Sequence, residues 1–274
     1  MVDVLLVHAP DASGDPRKGP PLALAYLSAQ LQAKGWSTRL VDLNLVSDWR
    51  RLLPAWLQVD APRMVGISST AFSLDLVGEL ASTCKHWDAA VPVIAGGYCG
   101  LLPTLRDIGA LDAICVGEGD WVLCEIMENL ARGEPTFGGI ASLHYRGENG
   151  QWIENARRSL LSPADLDNLP FPDFYGIEPA RYGEVPAVPL YVQRGCYNSC
   201  SFCDVAPFYA SRRVRAMSPT RVAEWMLRAK EDFGSTHVQF MDDDFLSRPA
   251  WFAELARRIA GQDGKYAIQA NFQT

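Results

Sequence analysis

Cys196, Cys200 and Cys203 stand in the stretch Arg194-Gly195-Cys196-Tyr197-Asn198-Ser199-Cys200-Ser201-Phe202-Cys203-Asp204, with the spacing C-x3-C-x2-C. Thiolates are the ligands of iron–sulfur clusters, which ordinarily take four of them. Three on a 4Fe–4S cube would leave one iron open to a substrate. A structural zinc site wants a fourth ligand and paired spacing. The only nearby histidine, His237, lies more than thirty residues on, inside a predicted strand. A zinc site and a loop of unrelated free thiols are the two competing readings of the same residues.

The spacing, with the aromatic Phe202 just before the last cysteine, resembles the signature of radical S-adenosylmethionine (SAM) enzymes. The resemblance implies that Cys196, Cys200 and Cys203 hold a 4Fe–4S cluster whose free iron chelates the amino and carboxylate groups of SAM. Reductive cleavage of SAM would then give a 5′-deoxyadenosyl radical. The chemistry rests on bound groups, and no side chain is singled out as a catalytic residue.

A chain of 274 residues accommodates about two domains. Its 48% hydrophobic and 21% charged residues are ordinary for a globular protein. A net charge of −7 lacks the basic footprint of a nucleic-acid binder. No apolar run reaches the length that spans a bilayer, and Met1-Val2-Asp3-Val4 lacks the positive start of a signal peptide. Seven cysteines, an odd number without a disulfide framework, fit a reducing compartment. Cys84, Cys115 and Cys124 sit in apolar patterns and read as buried thiols. These features point to a cytoplasmic protein with no membrane partner.

Up to about residue 133, short apolar runs alternate with helical patterns, the sign of βαβ units and a parallel sheet. The predicted strands are Val4–Val7, Ser37–Val41, Met64–Ser68, Val91–Ala95 and Ala113–Val116. Helices are expected from Pro20-Pro21 to Gly35, over Ser73–Trp87 and over Asp120–Ala131. The fold class is therefore α/β, a doubly wound, flavodoxin-like sheet, and such sheets bind ligands at the carboxyl ends of their strands. Ser68-Ser69-Thr70, Gly96-Gly97-Tyr98-Cys99-Gly100 and Gly117-Glu118-Gly119-Asp120 follow the third, fourth and fifth strands. On physics alone these are either tight βα turns or backbone that approaches a ligand closely.

Pro21-Leu22-Ala23-Leu24-Ala25-Tyr26-Leu27, Gly96-Gly97 and Gly117-Glu118-Gly119 are similar to the cobalamin-binding domain that precedes the barrel in one large radical SAM subclass. The resemblance implies that Ser68, Ser69, Thr70, Gly96, Gly97, Tyr98, Glu118 and Gly119 border the cobalamin tail. The cobalt-ligating version of the domain carries Asp-x-His-x-x-Gly after the first strand. Here the corresponding loop is Asp11-Ala12-Ser13-Gly14-Asp15-Pro16, without the histidine, so no histidine is expected below cobalt. His8 ends the strand and reads as structural. A domain of this ancestry that has lost the cofactor is the alternative.

Ser142–Tyr145 and Gln151–Glu154 flank Gly147-Glu148-Asn149-Gly150, a hairpin signal. Leu169-Pro170-Phe171-Pro172-Asp173-Phe174 is too rich in proline for a regular element and marks a boundary. It is expected to pack across the two domains, because Phe171, Phe174 and Tyr175 need burial. Beyond it, Pro189–Gln193, His237–Met241 and Tyr266–Phe272 are predicted strands of a β/α barrel, with a helix from the Ser218-Pro219 cap to about Phe233. The cysteine loop follows the first of these strands at its carboxyl end, where barrel chemistry sits.

Asp242-Asp243-Asp244-Phe245 ends the second barrel strand. It reads either as a solvated helix entry or as carboxylates that accept hydrogen bonds from an ammonium. Family members carry an Asp-Asp-x-Phe version, and Asp243 and Asp244 match it, which implies contact with the SAM amino group. Alternation along a strand prevents all three aspartates from facing one ligand. Arg212, Arg213 and Arg215 read as a solvated basic face, or as partners of the cluster or the aspartates. Gln269 and Asn271 are polar positions that could face the barrel interior and SAM.

The expected organisation is thus a cobalamin-binding-like sheet domain over 1–135, a hairpin and Pro-rich connector over 136–185, and the N-terminal half of a radical SAM β/α barrel over 186–274. A radical SAM core generally has six βα units and the sequence offers three strands, with Tyr266–Phe272 as an exposed edge. The expectation is therefore a shortened chain or one half of a split enzyme. The leading function is a cobalamin-dependent radical SAM enzyme, or its N-terminal portion, that methylates an unactivated centre. In the mechanism the family suggests, one SAM methylates cobalt, another supplies the radical, and the substrate radical takes the methyl group. The alternatives are a radical SAM enzyme with a vestigial cobalamin domain that performs another rearrangement or cyclisation, and a non-catalytic half needing a partner chain. Partners implied are a small-molecule or peptide substrate, an external electron donor and a second chain completing the barrel, with no nucleic acid.

Overall fold

Val4–His8 (β1) opens the chain with Val-Leu-Leu-Val-His, buried on both faces at its apolar positions, as a central parallel strand must be. The computed structural model describes residues 2–10, 19–70, 73–134, 136–182, 187–243, 248–260 and 266–270, apart from the Cys99 side chain. The chain divides into two compact units, one of Met1–Pro16, Ala23–Ser159 and Pro172–Ile177, the other of Arg17–Leu22, Leu160–Phe171 and Glu178–Thr274.

In the first unit β1 is flanked by Thr38–Asp42 (β2) and Met64–Ser68 (β3), followed outward by Val93–Gly96 (β4) and Ala113–Cys115 (β5), all parallel. The order 2-1-3-4-5 is that of a doubly wound sheet with its switch point between β1 and β3. The predicted hairpin forms from Leu143–Arg146 (β6) and Trp152–Glu154 (β7), and it extends the same sheet because β6 pairs antiparallel with β5.

Four helices cover the sheet: Leu22–Ala33 (α1), Trp49–Asp60 (α2), Leu74–Trp87 (α3) and Val122–Ala131 (α4). Leu53 and Leu57 of α2 and Val77, Leu80 and Ala81 of α3 share a core with Leu5, Val7, Val65 and Ile67. Helix α1 is apolar almost all round, with Leu24, Ala25, Tyr26, Ala29 and Leu31 buried, which calls for cover on more than one side. Residues 172–177 supply part of it. The Asp173 N–H donates to the Ala25 carbonyl (3.0 Å), while Ser28 Oγ (2.6 Å) and Gln32 Nε2 (2.8 Å) donate to the Asp173 carboxylate. Phe171 and Phe174 are buried as expected; Tyr175 is not, being 84% exposed.

The second unit holds Val188–Leu190 (β8), His237–Phe240 (β11) and Ala267–Ala270 (β12), parallel in the order β12-β11-β8. One expectation is corrected here. Pro189–Gln193 is not one strand: β8 ends at Leu190, and Gln193–Arg194 (β9) pairs antiparallel with Arg215–Ala216 (β10) in a separate sheet. Two short helices, Pro163–Asp167 (α5) and Val205–Tyr209 (α6), precede the long Pro219–Phe233 (α7) and Pro249–Ala260 (α8). The Ser218 hydroxyl accepts from Arg221 N–H (3.2 Å) with Pro219 at the first helical position, the preferred arrangement for both residues. Val222, Trp225, Met226 and Ala229 of α7 are buried, and Phe171 meets the Trp225 ring edge-on with centroids 5.6 Å apart. No helix among the described residues is long and apolar enough to cross a membrane.

Candidate functional site

The three-cysteine loop begins where the chain passes from one sheet to the other. Gly195 follows β9 with φ +91, a conformation that favours glycine. A Cβ there would lie 2.5 Å from the Arg213 carbonyl oxygen, so backbone rather than a movable side chain forbids it. Replacing Gly195 by Ala is expected to cost about 1–3 kcal/mol in backbone strain alone and to displace the loop. A thermal melt of the cluster-free variant checks this, and an unchanged Tm would contradict it.

Cys196 is buried, and Cys200 and Cys203 are half-buried. The backbone N–H and the side-chain amide of Asn198 approach the Cys196 sulfur at 3.4 and 3.5 Å, and hydrogen bonds to cluster sulfurs tune their potential. The Cys203 N–H donates to the Cys200 carbonyl (3.2 Å), closing a turn. Phe202 and Tyr197 project outward, 88% and 56% exposed.

Among the described residues no three His, Cys, Asp or Glu side chains are grouped to hold one metal ion. The donor set fits a cube better than a zinc ion. Three thiols with no fourth ligand among the described residues suit a cube, whose thiolates go to separate irons and stand apart, whereas zinc draws four ligands around one centre.

The aspartates after β11 meet the base of this loop. Asp242 is 1% exposed, which corrects the solvated reading of that residue. Its Oδ1 accepts from the N–H groups of Val192 (2.8 Å) and Gln193 (2.9 Å). Burial pushes its carboxyl up to about 8, opposed by those two donors and aided by Asp243. Asp243 accepts from Gly195 N–H at 3.3 Å and is also raised, chiefly by burial. Tyr191 is raised to about 12 by burial, with Asp243 and Asp242 adding to it. Asp244 and Asn271 lie outside the described residues. Gln269 is exposed and pairs in register with Gln239, on the face opposite the buried Val238 and Phe240.

The arginines after the loop divide. Arg212 and Arg213 are exposed, but Arg215 is 8% exposed, donates from Nη1 to the Leu161 carbonyl (3.0 Å) and lies over the Tyr209 ring. Arg215 is therefore part of the packing of this unit rather than of a solvated basic face.

In the first unit the parallel strands end together, with His8, Ser68 and Gly96 in register across β1, β3 and β4. Ser68 ends β3, Ser69 and Thr70 follow it at the switch point, and Gly96, Gly97 and Tyr98 lie beside them: Ser69 N–H donates to the Gly96 carbonyl (3.4 Å). Gly97 has φ +92, and a Cβ there would stand 3.2 Å from Ser68 Oγ and the Ser69 carbonyl oxygen. Ser69 is buried, Tyr98 is exposed and Glu118 is half-buried. A Cβ on Gly119 would meet Leu27 of α1 at 3.4 Å and the Cys115 sulfur at 3.5 Å. Cys84, Cys115 and Cys124 are buried free thiols, each pushed up to about 12 by burial. The Asp11–Pro16 loop lies outside the described residues.

These features define a doubly wound α/β sheet followed by a parallel βα core with a three-cysteine loop. Residues 16–127 match the B12 binding domain, and residues 190–271 match the Radical SAM superfamily. The chain thus joins a match to the B12 binding domain to a following match to the Radical SAM superfamily.

Among similar proteins are an uncharacterized methyltransferase of Pyrococcus horikoshii, 27% identical over 268 residues covering 94% of this chain and 57% of that protein, and cytidylyl-2-hydroxyethylphosphonate methyltransferase of Streptomyces wedmorensis, 25% identical over 88% of this chain and 54% of that one. The chain thus spans about half the length of the curated relatives it matches. The structure of OxsB, a cobalamin-dependent S-adenosylmethionine radical enzyme with aqua-cobalamin and S-adenosylmethionine bound, shares the fold with a TM-score of 0.80 at 19% identity, over 98% of this chain and 38% of that one.

Proposed function

We propose that this chain is the cobalamin- and SAM-binding portion of a radical SAM methyltransferase. The observation that carries the reading is the Cys196-Cys200-Cys203 loop at the carboxyl side of a parallel strand, its base tied to Asp242 and Asp243. Residues 1–135 hold cobalamin, 136–185 connect, and 186–274 form the first half of the barrel. When bound, the cluster supplies the electron that splits SAM, and cobalamin supplies a carrier for the methyl group. Cys196, Cys200 and Cys203 hold the cluster, and Phe202 stands beside it. Asp243 and Asp244 accept from the SAM ammonium, with Gln269 and Asn271 on the SAM side. Ser68, Ser69, Thr70, Gly96, Gly97, Tyr98, Glu118 and Gly119 border the cobalamin tail, where Gly97 turns with φ +92 close beside Ser68 Oγ and the Ser69 carbonyl oxygen.

The substrate is a small molecule or peptide, an external reductant feeds the cluster, and a second segment or chain completes the barrel. Neither nucleic acid nor membrane is a partner, in line with the net charge of −7. The free buried cysteines support a cytoplasmic location.

Anaerobic loading with iron and sulfide, followed by reduction and EPR with and without SAM, tests the reading. A 4Fe–4S signal that shifts with SAM is expected, as is a perturbed cobalamin absorbance on titration. No cluster would sink the reading. A cluster and SAM shift without cobalamin uptake would favour the vestigial-domain alternative.

A further inference from the structure

Strand β8 runs beside β11 as far as Leu190, where the Met241 N–H still donates to the Leu190 carbonyl (2.9 Å). Three residues later the chain pairs with β10 instead, Gln193 opposite Ala216 and Arg194 opposite Arg215. A strand that changes sheets leaves backbone donors without a ladder partner, and buried N–H groups are costly to leave unpaired. Val192 and Gln193 are such donors, 1% and 2% exposed. Both converge on Asp242 Oδ1, at 2.8 and 2.9 Å, as consecutive N–H groups do around an oxygen in a backbone nest. Gly195 N–H then meets the next aspartate, Asp243, at 3.3 Å. Three of the four N–H groups leading to Cys196 are thus held by two adjacent carboxyls at the end of β11. The Val192 carbonyl in turn accepts from Met217 N–H (2.9 Å).

We propose that Asp242 is a positioning residue for the cluster loop, its Oδ1 serving as the shared acceptor that sets the course of the chain from β8 into Gly195 and Cys196. This assigns Asp242 a role apart from the Asp243–Asp244 pair, and it rests on the cluster reading above only for what the loop carries. The other Asp242 oxygen, Oδ2, is buried without a hydrogen-bond partner among the described residues. The acceptor rather than the negative charge is therefore what the site requires. An amide at this position keeps the acceptor and drops the charge, so Asp242→Asn preserves the arrangement and Asp242→Ala loses it.

The test compares wild type, Asp242→Asn and Asp242→Ala by amide hydrogen exchange of the cluster-free chain, then by cluster loading. Asp242→Ala is expected to raise exchange at Val192 and Gln193 about tenfold or more, with the change spreading through Cys203 while α7 keeps its protection. After loading, its iron content per folded chain falls and its EPR line shape changes. Asp242→Asn is expected to match wild type in both readouts.

Wild-type exchange at Val192 and Gln193 in Asp242→Ala would overturn the proposal, as would an Asp242→Asn protein that exchanges as fast as Asp242→Ala. Should Asp242→Ala fail to fold, the Asp242→Asn comparison still decides. A purely structural role would lower the Tm and leave the EPR signal per folded chain unchanged. A wild type that takes up no cluster sinks the functional reading instead, and the exchange measurement remains decisive for Asp242.

Discussion

Changing any one of Cys196, Cys200 or Cys203 to Ala, in protein loaded anaerobically with iron and sulfide, is expected to abolish the 4Fe–4S EPR signal and the SAM-induced shift. Each cysteine holds a separate corner of the cube in the proposed arrangement, and among the described residues no cluster of metal-ligating side chains stands ready to take over. The loss should be at least about tenfold in iron per chain, since removing a ligand exposes an iron to exchange. Cys84→Ala, Cys115→Ala and Cys124→Ala form the control set. Their thiols are buried and pushed up to about 12, which keeps them protonated and poor ligands, because the thiolate is the binding form. These variants should keep the cluster and lose stability instead, as small cavities in the sheet core do. A cluster that survives all three loop substitutions, or one that needs Cys115, would defeat the assignment.

Much of the sheet was legible because its strands are short apolar runs that carry their own period. Met64–Ser68 lies at the predicted bounds, and the α7 cap was marked by Ser218 and Pro219. Helix α2 was not expected. Trp49, Leu53 and Leu57 have helical spacing and are buried, but Pro54 lies among them, and proline inside a helix ordinarily removes a backbone hydrogen bond. The split of Pro189–Gln193 was equally hidden. Leu-Tyr-Val is apolar whether it continues a strand or leaves it, and the choice depends on which distant acceptor each N–H finds, the Asp242 carboxyl or the partner strand. The same limit applies to the site. Cysteine spacing is local and announces itself; three aspartates in a row look alike until one of them is seen to hold two backbone amides. Arg215 stood in a run of arginines and proved to be the buried one, because β10 pairing turns it inward.

The charge state of Asp242 gives the second large effect, a stability that falls as pH rises. Burial lifts its carboxyl from the ordinary 3.8 to about 8, so the folded chain holds a proton that the unfolded chain gives up. The stabilisation is fully present below about 3.8, is lost progressively as the pH climbs toward about 8, and is level beyond it. The groups around it reinforce this. Asp243, raised chiefly by burial, runs in the same direction, and Tyr191 stays neutral throughout the window because burial holds it near 12. Asp165 works the other way: hydrogen bonds from Ser162 hold its carboxyl down, so its contribution is lost only as the pH falls into the acid range. The window between about 5 and 8 therefore reports mainly on the aspartates at the end of β11. Asp242→Asn removes the titrating group and keeps the acceptor, so the variant should melt like wild type near pH 4 and above it at pH 8.5. One kcal/mol moves Tm by roughly 4–8 °C in a domain near a hundred residues, so the gap at pH 8.5 should be several degrees. Parallel pH profiles of wild type and Asp242→Asn would show the Asp242 carboxyl ionised in the folded state, and the neutral-acceptor account of the cluster loop would fail with them.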